Sequence, residues 1–222
     1  MSDPTPPFRV LLEDAHLIAV SKPAGWLTQG DASGAPALTG AIKDYLKKKE
    51  NRKDPFVGLV HRLDRNVEGV VVFAKTSRAA ADLSDQIRRK QVRKIYRCLV
   101  EGVPNPREAR LEHFIRKGKS LKATVFPRKS PDAKRAVLTY RLLTTHRKNA
   151  LLEVELETGR FHQIRAQLSF IGHPIVGDLK YRATTRLGDY KIALYAQKVV
   201  LRHPHSGEEI LLESPSPEWE PC

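Results

Sequence analysis

The chain has 222 residues, 41% hydrophobic and 29% charged, which suits a globular protein with one substantial core or two lobes around a cleft. Its 39 Lys and Arg residues against 25 Asp and Glu residues give a formal net charge of +14. This excess favours a polyanionic partner (RNA, DNA or an anionic membrane), although a solvated basic surface has the same composition. The longest apolar run, residues 69–74, is too short to cross a membrane, and the first ten residues lack a signal-peptide pattern. We therefore expect no membrane partner.

The cysteines and histidines predict neither a structural disulfide nor a metal site. Cys98 falls in a predicted strand and Cys222 is the last residue, so a bond between them is not expected and a reducing compartment fits the sequence. His203 and His205 stand beside a Ser–Gly turn, and no group of Cys and His has the spacing of zinc ligands. We expect a cytoplasmic protein without a bound metal.

In chain order, the first half of the sequence predicts strands that alternate with two helices. Residues 1–7 are Pro-rich and are expected to be flexible. The helix over residues 77–90 has Ala80, Leu83 and Ile87 on its inner face. The other predicted elements are strands over 8–14 and 16–23, a helix capped by Thr39, and strands over 70–75 and 93–102.

The second half predicts an antiparallel sheet and one more helix. Residues 103–134 contain few apolar runs and are predicted to be rich in loops. Further along, apolar residues alternate with Glu153, Glu155 and Glu157, which predicts a strand with one solvated face. The fold class is therefore α+β with a largely antiparallel sheet. The predicted elements are strands over 135–143 and 150–159, a helix that ends at Gly172, and a hairpin about residues 205–207.

Three stretches combine reactive side chains with turn residues: HRLDRNVEG, RKIYRCLVEG and TGRFHQIRAQL. They offer a carboxylate in Asp64, an aromatic ring in Tyr96 and a cation in Arg165. In a shared cleft, an arginine would orient the carboxylate and keep it ionised as a nucleophile or base, and the ring could stack on a displaced nucleobase. From spacing alone, however, a structural ion pair is the better explanation of these residues.

The segment HRLDRNVEGVVVFAKT resembles the signature of the RluA family of pseudouridine synthases, in which His-Arg-Leu-Asp precedes a glycine and a hydrophobic strand. The resemblance covers residues 9–210 and implies the pseudouridine synthase fold, a mixed and largely antiparallel sheet with flanking helices and a central catalytic cleft. Four further stretches are similar to the family in the same order, namely EDAHLIAVSKPAGWLT, RKIYRCLVEG, ETGRFHQIRAQLSFIGHPIVGDLKY and LYAQKVVLRHPHSGEE.

The resemblance also implies roles for individual residues. Asp64 matches the catalytic aspartate, Tyr96 the base-stacking tyrosine, and Arg165 the basic residue that pairs with the aspartate. The family uses no cofactor and no metal; it cleaves the N1–C1′ bond of a uridine and rejoins the uracil through C5. The sequence leaves open whether the aspartate adds to C1′ or removes a proton from C2′. The positions that match substrate-binding residues are His61, Arg62, Arg160, His162 and Gln163, of which Arg62 is associated with flipping the target base.

The chain departs from the family pattern at three places. Val67 and Glu68 replace the usual Thr-Ser, which removes two hydroxyl groups and adds a negative charge near a phosphate-binding cleft. Phe161 replaces a Thr that could cap the following helix, a loss worth ~1 kcal/mol. Ala166 and Gln167 replace the usual Val-His. These departures leave the rate and the target of the enzyme open.

Two other classes of function compete with an active RNA pseudouridine synthase. The departures suit a catalytically weak RNA-binding or RNA-folding protein on the same scaffold, and a DNA-directed or other glycosidic-bond enzyme is a more remote class. We expect one catalytic domain over residues 8–214, a flexible terminus over 215–222, and a monomer. Because no separate module precedes residue 8, we expect this domain and its basic loops to select the RNA, which could be tRNA or ribosomal RNA.

Overall fold

The computed structural model describes residues 7–118 and 120–221, and the chain divides into two compact units. The first unit contains Met1–Val92 and Ala196–Pro215, and the second contains Arg93–Tyr195 and Ser216–Cys222. The described residues form eleven strands and three α-helices, which confirms the predicted α+β class. The prediction of one catalytic domain stays a prediction, because two compact units can belong to one folding domain.

The elements follow one another from residue 9 to residue 213, and most agree with the elements predicted from the sequence. In chain order they are β1 (Arg9–Glu13), β2 (Leu17–Lys22), α1 (Leu38–Glu50), β3 (Gly58–Leu59), β4 (Glu68–Ala74), α2 (Ser77–Arg88), β5 (Arg93–Glu101), β6 (Glu108–Lys117), β7 (Ala123–Phe126), β8 (Lys134–His146), β9 (Asn149–Leu156), α3 (Gln163–Phe170), β10 (Leu194–Arg202) and β11 (Glu209–Glu213).

Among the described residues, one short 3₁₀ helix, Leu179–Tyr181, follows α3 in the second unit.

The sheet of the first unit is built around β2 and β4. Strand β2 pairs antiparallel with β1 on one side and with β4 on the other, so that Ile18 lies opposite Phe73, and both side chains are fully buried. Strand β10 follows β4 in the sheet and β11 pairs with β10, which confirms the predicted C-terminal hairpin. The apolar core of this unit includes Ala19, Val70, Val72, Leu83, Val199 and Leu212.

Gly69 allows β4 to approach β10 closely at the start of the strand. Its φ is +114°, and a Cβ atom built there would lie 2.2 Å from the carbonyl oxygen of Ala196. A side chain at this position would therefore collide with backbone, which cannot move aside without breaking the sheet. The glycine of the signature segment is explained by this close approach.

The two helices of the first unit begin differently from each other. Thr39 does not cap α1 as predicted, because the helix begins at Leu38 and the preceding Ala37 offers no side-chain hydrogen bond. Helix α2 has a capped start, since the Thr76 hydroxyl oxygen accepts from the backbone N–H of Ala79 at 3.1 Å. Such a cap satisfies one of the amide groups that a helix start leaves without a partner.

The inner face of α2 is rotated relative to the predicted one. Ala79, Leu83 and Gln86 are buried, and the predicted Ala80 and Ile87 are only partly buried. Gln86 is buried because its side-chain amide bonds to both backbone groups of Arg202, at 2.8 Å to the carbonyl oxygen and 3.0 Å from the N–H. A polar side chain that forms hydrogen bonds with backbone groups can occupy a buried position. A search for apolar residues does not predict such a position.

The strands of the second unit follow the spatial order β5, β9, β8, β6, β7, and each neighbouring pair is antiparallel. The prediction of a loop-rich segment over residues 103–134 is wrong, because β6 and β7 lie within it. Strand β6 was not predicted because its outward-facing residues are charged and alternate with residues of modest apolar character. The outward-facing residues are Glu108, Arg110 and Glu112. A strand whose exposed face is charged carries little hydrophobic signal.

The solvated face predicted for β9 and the residue after it carries ion pairs with other strands of the second unit. These pairs are exposed, so each contributes little to the stability of the fold. The glutamates neutralise the positive charge of the paired arginines. This face therefore attracts polyanions less strongly than the net charge of the chain suggests. The pairs join Glu153 to Arg141, Glu155 to Arg93 and Glu157 to Arg110, at 2.9, 2.9 and 2.8 Å.

The C-terminal residues differ from the flexible terminus predicted over 215–222. The Glu220 carboxylate accepts from Arg97 Nη1 at 2.8 Å and from the Tyr195 hydroxyl at 2.7 Å, and the Trp219 ring packs edge-on against the ring of Tyr195. Only 4% of the Glu220 side chain is exposed. The terminus is therefore anchored on the second unit as far as Glu220, whereas Cys222 and residues 1–6 lie outside the described residues.

Candidate active site

The loop that carries Asp64 joins β3 to β4 and is fixed by bonds to its backbone. The Thr28 hydroxyl is buried; it donates to the Leu63 carbonyl oxygen at 2.8 Å and accepts from the Leu63 N–H at 3.1 Å. This pair of bonds holds both backbone groups of the residue that precedes Asp64. The Cα position of Asp64 is thereby restrained, which is what a reacting carboxylate requires.

Two further contacts fix the same loop on either side of Asp64. Gly25 and Arg65 exchange bonds, since the Gly25 N–H donates to the Arg65 carbonyl oxygen at 2.8 Å and Arg65 Nε donates to the Gly25 carbonyl oxygen at 2.9 Å. His61 Nε2 accepts from the backbone N–H of Val72 at 3.0 Å. The predicted substrate-binding residue His61 therefore joins the loop to β4 through this ring nitrogen.

Lys22 lies beneath the loop and is fully buried. Its Nζ donates to the carbonyl oxygens of Pro23, Trp26 and Arg65 at 2.9, 2.8 and 3.2 Å. Burial lowers the pKa of Lys22 to about 7, although the nearby Asp64 and Glu68 carboxylates act to raise it. The three acceptors match the three N–H groups of an ammonium, so Lys22 ties the Lys-Pro-x-Gly turn to the Asp64 loop.

The Val67-Glu68 departure has a partial physical explanation in this arrangement. Val67 is 2% exposed, and its N–H donates to the Asp64 carbonyl oxygen at 3.1 Å, so the apolar side chain fills the core while the backbone closes a turn. Glu68 begins β4 and is a second carboxylate that favours the charged form of Lys22. The added negative charge therefore has a cation within the same unit.

We expect Lys22→Met to lower the free energy of unfolding by about 2 kcal/mol at pH 7, because three buried carbonyl groups lose a charged donor. The pKa of Lys22 in the folded protein, about 7, lies below its ordinary value of 10.5. Between pH 7 and pH 10.5 the unfolded chain therefore binds more protons at this residue than the folded protein does. The stability of the wild type consequently rises with pH over this range. Below pH 7 this contribution is constant. Urea unfolding at pH 7 and pH 9 should show the wild-type advantage over the variant growing by about 2 kcal/mol. An advantage that stays flat would contradict the depressed pKa.

In the second unit, Arg165 forms a buried ion pair with Asp178. Arg165 Nε and Nη2 donate to the two carboxylate oxygens of Asp178 at 2.7 and 2.9 Å, and the two side chains are 5% and 1% exposed. The guanidinium carbon also lies 5.1 Å from the centre of the Tyr181 ring. The sequence predicted Asp64 as the partner of Arg165. A guanidinium has five N–H donors, so the bonds to Asp178 leave donors for a second partner. The predicted pairing of Arg165 with Asp64 stays a prediction.

The loop before α3 is held by Gln163, which was predicted to bind substrate. Gln163 is 3% exposed; its Oε1 accepts from the Arg160 N–H at 3.0 Å and the Thr158 hydroxyl at 2.8 Å, and its Nε2 donates to the Val137 carbonyl oxygen at 3.0 Å. These bonds give Gln163 a structural role within the unit. Arg160 is exposed, and its Nε donates to the carbonyl oxygen of Arg135 at 2.9 Å.

The expectation that residue 161 is a capping position is wrong. Helix α3 begins at Gln163, and the N-cap residue is His162, whose φ of +52° is left-handed and whose side chain makes no capping bond. Phe161 therefore lies one residue before the cap, where a Thr hydroxyl would have no capping role of the usual kind. The loss of a cap does not account for Phe161.

The predicted site residues are thus divided between the two units. Asp64, His61 and Arg62 share one loop of the first unit, and Arg160, His162, Gln163 and Arg165 share one loop and helix of the second. Tyr96 lies on β5, opposite Val154 of β9, and is 7% exposed. That these residues act together at one site stays a prediction.

Lys22, Thr28 and Asp178 were not predicted from the sequence to belong to the site. Lys22 lies in the stretch EDAHLIAVSKPAGWLT and Asp178 in ETGRFHQIRAQLSFIGHPIVGDLKY, so the sequence showed the motifs but not the roles of these two residues. Thr28 gave no signal, because a single hydroxyl that bonds to backbone 35 residues away has no local pattern. Among the residues that the structure describes, no cluster of His, Cys, Asp and Glu is arranged to hold a metal ion.

Comparison with known proteins defines the class to which this fold and these motifs belong. A family model described as RNA pseudouridylate synthase matches residues 16–170, which is most of the chain. The chain belongs to this family and is an RNA pseudouridine synthase, an isomerase that acts on RNA. The RluA-type resemblance of the sequence is confirmed.

Individual relatives agree with this assignment. The chain is 34% identical to an RNA pseudouridine synthase of Bacillus subtilis, with 94% of this chain and 68% of the relative covered. It is 35% identical to ribosomal large subunit pseudouridine synthase D of Nitrosomonas europaea, with 96% and 63% covered. The chain therefore spans about two thirds of the length of these relatives.

A solved structure shares the fold. The human RNA pseudouridylate synthase domain containing 4 matches with a TM-score of 0.79 and 26% identity, over 95% of this chain and 89% of that chain. This likeness confirms the predicted pseudouridine synthase fold. In the part of the chain that the structure describes, no helix is long and apolar enough to cross a membrane.

Proposed function

We propose that the chain isomerises specific uridines of structured RNA, in tRNA or ribosomal RNA, with Asp64 as the catalytic carboxylate. The observation that carries the proposal is the fixation of the Asp64 loop by Thr28, Lys22 and Gly25, in a chain of the RNA pseudouridine synthase family. A loop held this firmly fixes the backbone position from which Asp64 extends, and positioning of a reacting group contributes strongly to catalysis.

The proposed reaction begins when the N1–C1′ glycosidic bond of the uridine breaks. The uracil turns, a C5–C1′ bond forms, C5 loses its proton to solvent and N1 gains one, so that atoms and charge balance. Asp64 would act either by adding to C1′ or by removing a proton from C2′, and both routes require an ionised carboxylate beside the ribose. Tyr96 would stack on the target base, and Arg165 would support the carboxylate.

Ribosomal RNA is a candidate substrate because four of the relatives carry names that refer to the large ribosomal subunit. The test is release of tritium from RNA labelled at uracil C5, with ribosomal RNA and tRNA from cells that lack this protein supplied separately. Release from one of the two identifies the substrate class. No release from either, with RNA binding retained, would favour the alternative of a catalytically weak RNA-binding protein.

Tyr96 should act through its ring rather than through its hydroxyl group. We expect Tyr96→Phe to keep most of the tritium-release rate and Tyr96→Leu to lose about 10- to 100-fold, because stacking of a base on an aromatic ring contributes about 1–3 kcal/mol. Leu is preferred to Ala because Tyr96 is 7% exposed and a smaller side chain would leave a cavity. Equal losses in the two variants would show that the hydroxyl group matters instead.

A further inference from the structure

Three cations near the β6–β7 hairpin lie over aromatic rings. Arg116 lies over Phe126, Lys117 over Phe161 and Lys122 over Tyr181, at 5.1, 4.8 and 5.4 Å from the ring centres. This surface differs from the β9 face, where arginines pair with glutamates. A region in which cations and aromatic rings alternate has the chemistry that binds single-stranded nucleic acid, with phosphates on the cations and bases on the rings.

Phe161 is the ring best supported for such a role. It is half-buried, and its ring stacks on that of His162 with centres 3.8 Å apart and an interplanar angle of 18°. The His162 ring is held in turn, because its Nδ1 lies 2.8 Å from the Tyr181 hydroxyl, which accepts from the Ala123 N–H at 2.7 Å. The hydrogen bond between Nδ1 and the hydroxyl holds the His162 ring whichever of the two groups donates, and it thereby fixes the orientation of the stacked pair.

We propose that Phe161, supported by His162 and flanked by Lys117, is a stacking site for an unpaired base of the RNA substrate, with Lys117 contacting the adjacent phosphate. The inference rests on the proposed function in that the ligand is RNA. Because Lys117 is exposed, its ammonium is held only weakly over the half-buried Phe161 ring, so a base can take its place on the ring while Lys117 moves to the phosphate. Phe161 stands where Thr is usual in the family, so this site would distinguish the chain from its relatives in substrate preference.

The experiment measures binding of a fluorescein-labelled 12-nucleotide single-stranded RNA of mixed sequence by fluorescence anisotropy at several salt concentrations. We expect Phe161→Leu to weaken binding about tenfold without changing the slope of log Kd against log salt, because the lost contact carries no charge. Phe161→Trp should bind within about twofold of wild type. Lys117→Gln should reduce the slope by about 0.7, the change expected for one phosphate contact on a single strand.

Binding by Phe161→Leu within twofold of wild type, equal weakening by Phe161→Trp, or no binding by the wild type would overturn the stacking site. Thermal unfolding of each variant controls for damage to the fold, and Phe161→Thr, which carries the residue usual in the family, replaces Phe161→Leu if the latter unfolds. Tritium release by the wild type is measured in parallel. Release together with unchanged binding of Phe161→Leu refutes only the stacking site, whereas weakened binding without release supports the site and refutes the proposed reaction.

Discussion

Asp64→Asn should lower the rate of tritium release by at least about 1,000-fold. A loss of this size is expected whether Asp64 acts as a general base or as a nucleophile. Asn keeps the shape of the side chain and removes its charge. The loop is fixed through the backbone of Leu63 and Arg65, by Thr28 and Gly25, and none of these bonds involves the Asp64 carboxylate. The variant should therefore fold and should bind RNA as the wild type does.

The informative result is the combination of lost release with retained binding and retained stability. Urea unfolding and anisotropy with the same labelled RNA provide the two controls. A variant that binds and folds normally but still releases tritium would remove Asp64 from the chemistry. Loss of all three properties would mean that the carboxylate supports the loop, most directly through its electrostatic contact with Lys22.

The second large effect is expected at the buried pair of Arg165 and Asp178. We expect Asp178→Ala to lower the free energy of unfolding by about 3–5 kcal/mol, because it leaves the 5% exposed Arg165 guanidinium without its bidentate partner. Urea unfolding measures the change. A loss below about 1 kcal/mol would show that solvent or another group compensates the arginine.

The same pair determines how the catalytic role of Arg165 has to be tested. Arg165→Ala alone leaves Asp178 as a buried charge, so the variant is expected to be unstable and its activity would not separate catalysis from folding. The double variant Arg165→Met with Asp178→Leu replaces the pair by apolar side chains and should recover stability to within about 1–2 kcal/mol of wild type. A stable double variant without tritium release supports a role for the pair in the reaction, and a stable active one excludes it.

Much of the fold could be predicted because its strands carry local signals. The run of β-branched residues in β4 and the alternation of apolar residues with glutamates in β9 each predict a strand without tertiary information. Strand β6 could not be predicted in this way, because its outward charges are balanced by partners on other strands, Arg135 among them. Gln86 was missed for a related reason, since its burial depends on the backbone of Arg202, 116 residues away.

For the candidate site, the sequence alone determined the reactive residue types and, through collinear motifs, the family: Asp64 in its signature, Tyr96 in its strand and Arg165 in its helix. Only the tertiary structure decided which groups hold them. Lys22 and Thr28 fix the Asp64 loop, and Asp178 fixes Arg165. The physical reason is that these supports are hydrogen bonds and ion pairs between residues distant along the chain. A motif records which side chain is present, but the partner that orients it is set by packing.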